Sequence, residues 1–486
     1  MTPDDTLARP PEPPPSELRP ADRLVFQAAA VGMAALLLLM TFGSLSGGLA
    51  AAWAIPVVVL VGLAVAFARP SPPTQLGIVL AAQVLQLGGE EGLGAGELLA
   101  FVLMVGYLAK WYASAWLGRR PVVLSSFDAV ALGWGTVGML VAAGLGLLYG
   151  PDAYDYRADI IATVPFAFYL PLKDTCTRYR NGAAVVAGAL VWFGLYATIS
   201  NGLLLRSVIS GATQVWEIAD ARFGVGETSI ASGIFLCFGG LAVSARRGEK
   251  VVLLVITGAL LGGLILTKSR GFWVSCIVGL VVLVGVVRAG DRRRLLLAAV
   301  LGVAVLVSVS LVFFGEQVAL LAAGTLSRFA TLSSAATKDI SLINRFVESG
   351  AVWYDIQRNP IMGYGWGVQV TRFDIINKTT LSWGFIHNGY LALWHKMGLW
   401  GLGMMMWVWV GAMVRAALAG RNPRLPARER AIALGVGGVM VAFTIVASTS
   451  NPWSIPDQML VITMVLAVAH GVQDRARLDP HPTDPA

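Results

Sequence analysis

The sequence predicts an all-α polytopic membrane protein with about fourteen transmembrane helices, twelve at the fewest, and one large extramembrane loop. Three observations predict it. Only 13% of the 486 residues are charged while 56% are hydrophobic, and the mean hydropathy is +0.70; a soluble domain is usually near 25% charged. The apolar residues come in runs long enough to cross a hydrocarbon core. The runs lack the two-residue alternation of barrel strands, so helices must satisfy their backbone groups.

Taken in order, residues 1–24 form a Pro-rich polar tail expected in the cytoplasm, and 25–315 hold helices one to eleven. The spans are 25–42, 49–68, 74–89, 97–117, 127–149, 158–172, 181–203, 226–244, 251–267, 271–287 and 295–315. Residues 397–414, 431–449 and 455–472 supply the last three, and 473–486 form a second cytoplasmic tail. The first apolar run is followed by thirteen more, which does not fit a cleavable signal peptide.

Lys and Arg set the orientation. With the N-terminus inside, twenty-three of the 36 basic residues fall in inside segments, twelve fall outside, and Lys110 lies within a span. Both termini are therefore expected in the cytoplasm. The basic residues are scattered between spans, so the net charge of +8 is no nucleic-acid signal. Cys176, Cys237 and Cys276 make no disulfide framework and read as packing cysteines.

Residues 316–396 are too long for a plain connector and read as a functional segment. They contain an amphipathic stretch, 342–358, with Leu342, Phe346, Val352, Trp353 and Ile356 as its apolar positions. The Gly-rich turn Met362-Gly363-Tyr364-Gly365-Trp366-Gly367 follows. The expectation is a small cap of short helices on the external face.

Ionisable residues on that face are the candidate site, because charge near membrane depth is costly. Arg222 precedes the eighth span, and Arg270 sits in the tight turn Thr267-Lys268-Ser269-Arg270. Arg345 begins the amphipathic stretch, and Arg206 is a fourth cation. A guanidinium fork suits phosphate oxygens, although an arginine here can also serve only to reach the headgroups. Of four histidines, only His387 and His395 fall near the external face, and His387 stands where the loop re-enters the membrane. An imidazole with an ordinary pKa near 6.5 suits a general base; a structural hydrogen-bonding role is the alternative. No nucleotide-phosphate loop, His-Glu-x-x-His, Cys-x-x-Cys or Gly-x-Ser-x-Gly motif is present. Glu90-Glu91 and the Asp152–Asp155 cluster read as solvated loop charge rather than metal ligands.

His387-Asn388, nine residues, then Gly398-Leu399-Trp400-Gly401 resembles the His-Asn-x9-Gly-x-x-Gly signature of the bacterial O-antigen ligase and O-antigen polymerase family. Arg222-Phe223-Gly224 is similar to that family's Arg-x-Gly segment, and Ser269-Arg270-Gly271 to its Ser-Arg-Gly turn. Arg345 through Asn359-Pro360-Ile361-Met362-Gly363-Tyr364-Gly365 is similar to its Arg…Pro-x-x-Gly-x-Gly run. Lys396 departs from the acidic residue common two positions before the Gly-x-x-Gly, so the resemblance carries over no carboxylate to assist His387.

The resemblance implies a GT-C-like membrane glycosyltransferase of the cell inner membrane, inverting, metal-independent and without cofactor. It would move a glycan from undecaprenyl pyrophosphate to a hydroxyl of lipid A core or of another lipid-linked glycan, on the periplasmic face. Catalysis would fall to His387 and pyrophosphate binding to Arg222, Arg270, Arg345 and Arg206, with Asn388, Gly398 and Gly401 supporting the motif. A lipid-linked oligosaccharide flippase or other polysaccharide transporter is the rival class; it would call for charge along a path through the spans and a sequence repeat.

Overall fold

The computed structural model describes residues 71–86, 95–117, 122, 124–211, 224, 226–244, 246–288, 290–297, 299–302, 304, 340–375 and 377–478. The expected spans 25–42 and 49–68, both tails except 473–478, and most of 295–315 lie outside them.

The described chain is mostly helical. In order come α1 (Pro72–Ala82), α2 (Ala95–Trp116), α3 (Ser126–Tyr149), α4 (Ala153–Thr163), α5 (Tyr169–Arg178), α6 (Gly182–Gly211), α7 (Glu227–Val243), α8 (Arg247–Leu266) and α9 (Arg270–Val286). After these come α10 (Ile340–Arg358), the strands β1 (Val370–Asp374) and β2 (Thr379–Trp383), then α11 (Gly389–Arg421), α12 (Ala427–Val446) and α13 (Pro456–Leu478).

Among the described residues six helices are long and apolar enough to cross a membrane: α3, α6 over Gly182–Val208, α8, α11, α12 and α13; α7 and α9 are shorter apolar helices. Their outward faces stay apolar, with Leu140, Val251, Val281 and Trp407 exposed. Such a surface suits lipid and would be a liability in water. At the centre, α7 packs against α6 and α12. A Cβ on Gly239 would come within 2.2 Å of the Ala431 carbonyl oxygen, so the missing side chain lets α7 and α12 approach closely.

Three expectations change. The span expected at 158–172 is not one helix: α4 ends at Thr163, a 3₁₀ turn covers Val164–Phe168, and α5 runs on to Arg178. Pro165 lacks the N–H that a continuous helix would need. Lys173, expected as loop charge, is buried in α5. Its ammonium lies 2.7 Å from Asp128 and 2.8 Å from Asp474, while Tyr169 Oη donates to Asp128 over 2.6 Å. This network binds α3, α5 and α13 at the end of the bundle away from His387, and it accounts for buried His470, whose Nδ1 meets Tyr169 Oη.

The cap expected to be short helices is, over its described part, one 19-residue helix and a β-hairpin. Antiparallel pairing runs from Val370 opposite Trp383 to Asp374 opposite Thr379. The segment Val370-Thr371-Arg372-Phe373-Asp374 alternates buried and exposed, a two-residue period that helical reading passed over.

Candidate active site

One face of α10 builds the floor of the site. Asn344, Glu348, Val352 and Ile356 are buried at four-residue spacing, the stripe of a helix packed on one side. This corrects the expected apolar face: Phe346 and Trp353 are exposed, and a carboxylate takes their place in the interior.

Glu348 is 2% exposed and is held by two groups. Arg372, pointing inward from β1, forms an ion pair with Oε2. His387, in the linker between β2 and α11, donates its backbone N–H to Oε1 and brings Nδ1 to 2.9 Å from Oε2. A carboxylate only accepts, so Nδ1 carries the proton and Nε2 is left as the ring's acceptor. Among the described residues Nε2 has no hydrogen-bond partner, and the side chain is 34% exposed. Burial first, then the positive charges of Arg345 and Arg372, push the imidazole pKa down to about 4.

The signature residues aim this histidine. Asn388 is the N-cap of α11, its Oδ1 accepting from the N–H groups of Tyr390 and Leu391 at 3.1 and 3.2 Å. Ten residues on, Gly398 breaks the helix with φ 70° and ψ 179°, and a Cβ there would lie 1.9 Å from the Ile361 carbonyl oxygen. The break frees carbonyls that an unbroken helix would use. Tyr364 N–H takes that of His395 at 2.8 Å and Gly365 N–H that of Lys396 at 2.9 Å. Gly363, itself at φ 74°, passes so close that a Cβ would meet Gly398 N at 2.5 Å. The two glycine motifs are thus halves of one joint. Gly401 packs onto Met397 one turn beyond it.

The turn after α12 gathers the cations. Gly389 N–H donates to the Ala447 carbonyl at 2.8 Å, and Arg345 Nη1 donates to the Thr449 carbonyl at 2.6 Å. Gly271 sits against the same residue, a Cβ there falling 3.1 Å from Thr449 Oγ1. Arg270 is the first residue of α9, after N-cap Ser269, and is half-buried. His387, Arg345 and the Arg270 turn therefore meet at one end of the bundle. Arg206 is exposed near the end of α6, and the described contacts do not bring it to His387. Arg222 lies outside the described residues.

His395 points elsewhere. It is buried, stacks on Tyr364 with centroids 5.0 Å apart, and places Nε2 3.9 Å from Asp355. Of the acids at 152–155, Asp152 stays exposed, as expected of loop charge, but Asp155 does not. Asp152 is the N-cap of α4. Asp155 is buried and accepts from Gln369 Nε2 at 2.7 Å and Gly384 N–H at 3.1 Å. Asp159 pairs with Lys396 at 2.5 Å and accepts from Gly367 N–H at 2.9 Å. The acidic face of α4 thereby fastens the cap, and Lys396 serves the fold instead of the histidine. Sequence reading missed Glu348 and Arg372. The available signal was an acid four residues before Val352 and eight before Ile356, on the stripe that had to be buried.

These features define a polytopic helical membrane protein whose one described cap holds a carboxylate-bound histidine beside arginines. The model of the family described as O-antigen ligase matches residues 252–406, from α8 into α11, which takes in Arg270, Arg345, Glu348, Arg372 and His387. The match supports membership of the O-antigen ligase/polymerase family. No curated protein matches the chain.

Proposed function

We propose that the chain transfers a glycan from undecaprenyl pyrophosphate to an acceptor hydroxyl at the periplasmic face of the inner membrane, with inversion and without a metal ion. The observation that carries this reading is His387, whose Nδ1 is committed to Glu348 while Nε2 has no hydrogen-bond partner among the described residues and the side chain is partly open.

In the proposed step the acceptor O–H bond breaks and its proton goes to His387 Nε2. The oxygen forms a bond to the anomeric carbon, and the bond from that carbon to the pyrophosphate oxygen breaks with its electron pair. Arg270 and Arg345 neutralise the charge that develops on the pyrophosphate, with Arg222 as a third contributor. Asn388, Gly398 and Gly401 hold the histidine's segment in place. Arg206 is left to headgroup contact by its exposed position. The ligase and polymerase forms differ in whether the acceptor hydroxyl belongs to lipid A core or to another lipid-linked glycan, and the same base serves both.

The test is transfer by purified protein supplied with an undecaprenyl-pyrophosphate-linked glycan and each acceptor in turn. Arg270→Ala and Arg345→Ala should abolish transfer while the protein still inserts, and Lys at position 270 should restore it only in part, a point charge lacking the bidentate fork. EDTA should leave the rate unchanged. Full activity in both alanine variants contradicts the pyrophosphate role, and EDTA inhibition that Mg²⁺ reverses contradicts the metal-free step.

A further inference from the structure

The geometry points to a positioning pair that nothing in the family signature names: Glu348, held by Arg372, fixes His387 with its proton on Nδ1 and keeps Nε2 available as an acceptor. The inference rests on the transferase reading for what His387 does, but its physical content concerns the ring alone.

Three contacts carry it. The Glu348 carboxylate takes both the backbone N–H and Nδ1 of His387, so main chain and ring are tied to one side chain and the ring cannot turn without losing a bond. Glu348 is 2% exposed, and a buried carboxylate cannot stay charged there without a partner. Arg372, 6% exposed, is that partner. Asn344 from the same stripe accepts from Ile375 N–H at 3.1 Å, which anchors the end of β1 and so Arg372 itself.

The electrostatic consequence follows from who faces the ring. From α10 come Arg345 and Glu348, and from β1 come Arg372 and, beyond it, Asp374, which is engaged with Asn377. The Phe385 ring stands perpendicular to the imidazole with centroids 5.1 Å apart, and the turn after α12 brings the Thr449 carbonyl that holds Arg345. Glu348 alone would draw a second proton onto the imidazole, and an imidazolium cannot act as a base. Arg372 spends that charge. Glu348 can therefore orient the ring without protonating it, which separates two effects that a bare histidine–carboxylate pair combines.

The test reads His387 directly. The full-length protein in nanodiscs is treated with diethyl pyrocarbonate, which modifies neutral imidazole, and modification of the His387 peptide is followed by mass spectrometry from pH 4 to 8. In the wild type the rate should stay flat from pH 8 to about 5. A midpoint near the ordinary 6.5 overturns the inference without any variant. Arg372→Met should raise the midpoint by about one pH unit or more, the usual effect of an uncompensated neighbouring charge, while Arg372→Lys should keep it low. An unmoved midpoint in folded Arg372→Met also overturns it. Glu348→Gln should cut transfer on the order of 10²–10⁴-fold, as losing a general base does, because an amide N–H facing Nδ1 favours the opposite tautomer. Glu348→Asp should recover part of the rate. The expected titrations in a protein that transfers no glycan under any condition would refute the proposed function and leave the positioning pair standing.

Discussion

His387 has two ring nitrogens in different surroundings, and that asymmetry governs its response to acid. An imidazole at its ordinary value would be about nine-tenths protonated at pH 5.5. With the pKa held near 4 by burial, Arg345 and Arg372, the ring stays neutral there, so transfer at pH 5.5 should match that at pH 7.5 within about a factor of two. A tenfold fall between those values would show an unperturbed histidine. Stability carries the same sign. The folded form disfavours the charged ring, so the contribution from His387 is complete above about pH 6.5 and declines as pH falls toward 4. The other histidine behaves differently. His395→Ala removes a buried ring stacked on Tyr364, and it should lower the melting temperature while leaving turnover per folded molecule near normal. A turnover loss matching His387→Ala would place His395 in the chemistry. His387 stood out in the sequence because histidines are scarce and it sits beside Asn388. Glu348 did not, because one acid in an amphipathic helix looks like surface charge until the hairpin that buries it is known.

The joint at Gly398 breaks α11 and sets the course of its first part, Gly389–Met397, and hence where His387 points. Gly398→Ala would meet both an unfavourable positive φ and the Ile361 carbonyl, so it should reduce the folded fraction on solubilisation and slow transfer together. Unchanged folding and rate would show that the joint tolerates a methyl group. The neighbouring Lys396–Asp159 pair is buried on both sides. Lys396→Met alone should cost about 3–5 kcal/mol by stranding Asp159, whereas Lys396→Met with Asp159→Leu should recover most of that. Thermal stability of the two variants measures the difference; equal losses would show that the pair is not coupled. The expected start of a span at 397 falls on this joint, because Gly and a change of polarity mark it in the sequence. The hairpin did not show, since five-residue strands between glycines resemble any loop. The break at Pro165 also went unread, because apolar residues continue on both sides of it.

Apolar runs made the helices readable, since lipid leaves a chain few other ways to satisfy its backbone. Buried charge was harder to read: Lys173, Asp128 and Asp474 form a closed network that contributes to a loop count of basic residues as though it were solvated. The remaining bias still predicts the orientation. Reporter fusions in the 422–425 turn should read cytoplasmic, and fusions at Lys378, the hairpin tip, should read periplasmic. The opposite pattern would put His387 on the wrong side of the membrane for the proposed donor. The most direct measurement takes both donor binding and turnover on one purified protein, His387→Ala. Turnover should fall on the order of 10²–10⁴-fold while the lipid-linked donor binds as in the wild type, because the arginines and the apolar surface hold it. Retained turnover would contradict His387 as the base, and donor binding lost together with turnover would make it a donor-site residue instead.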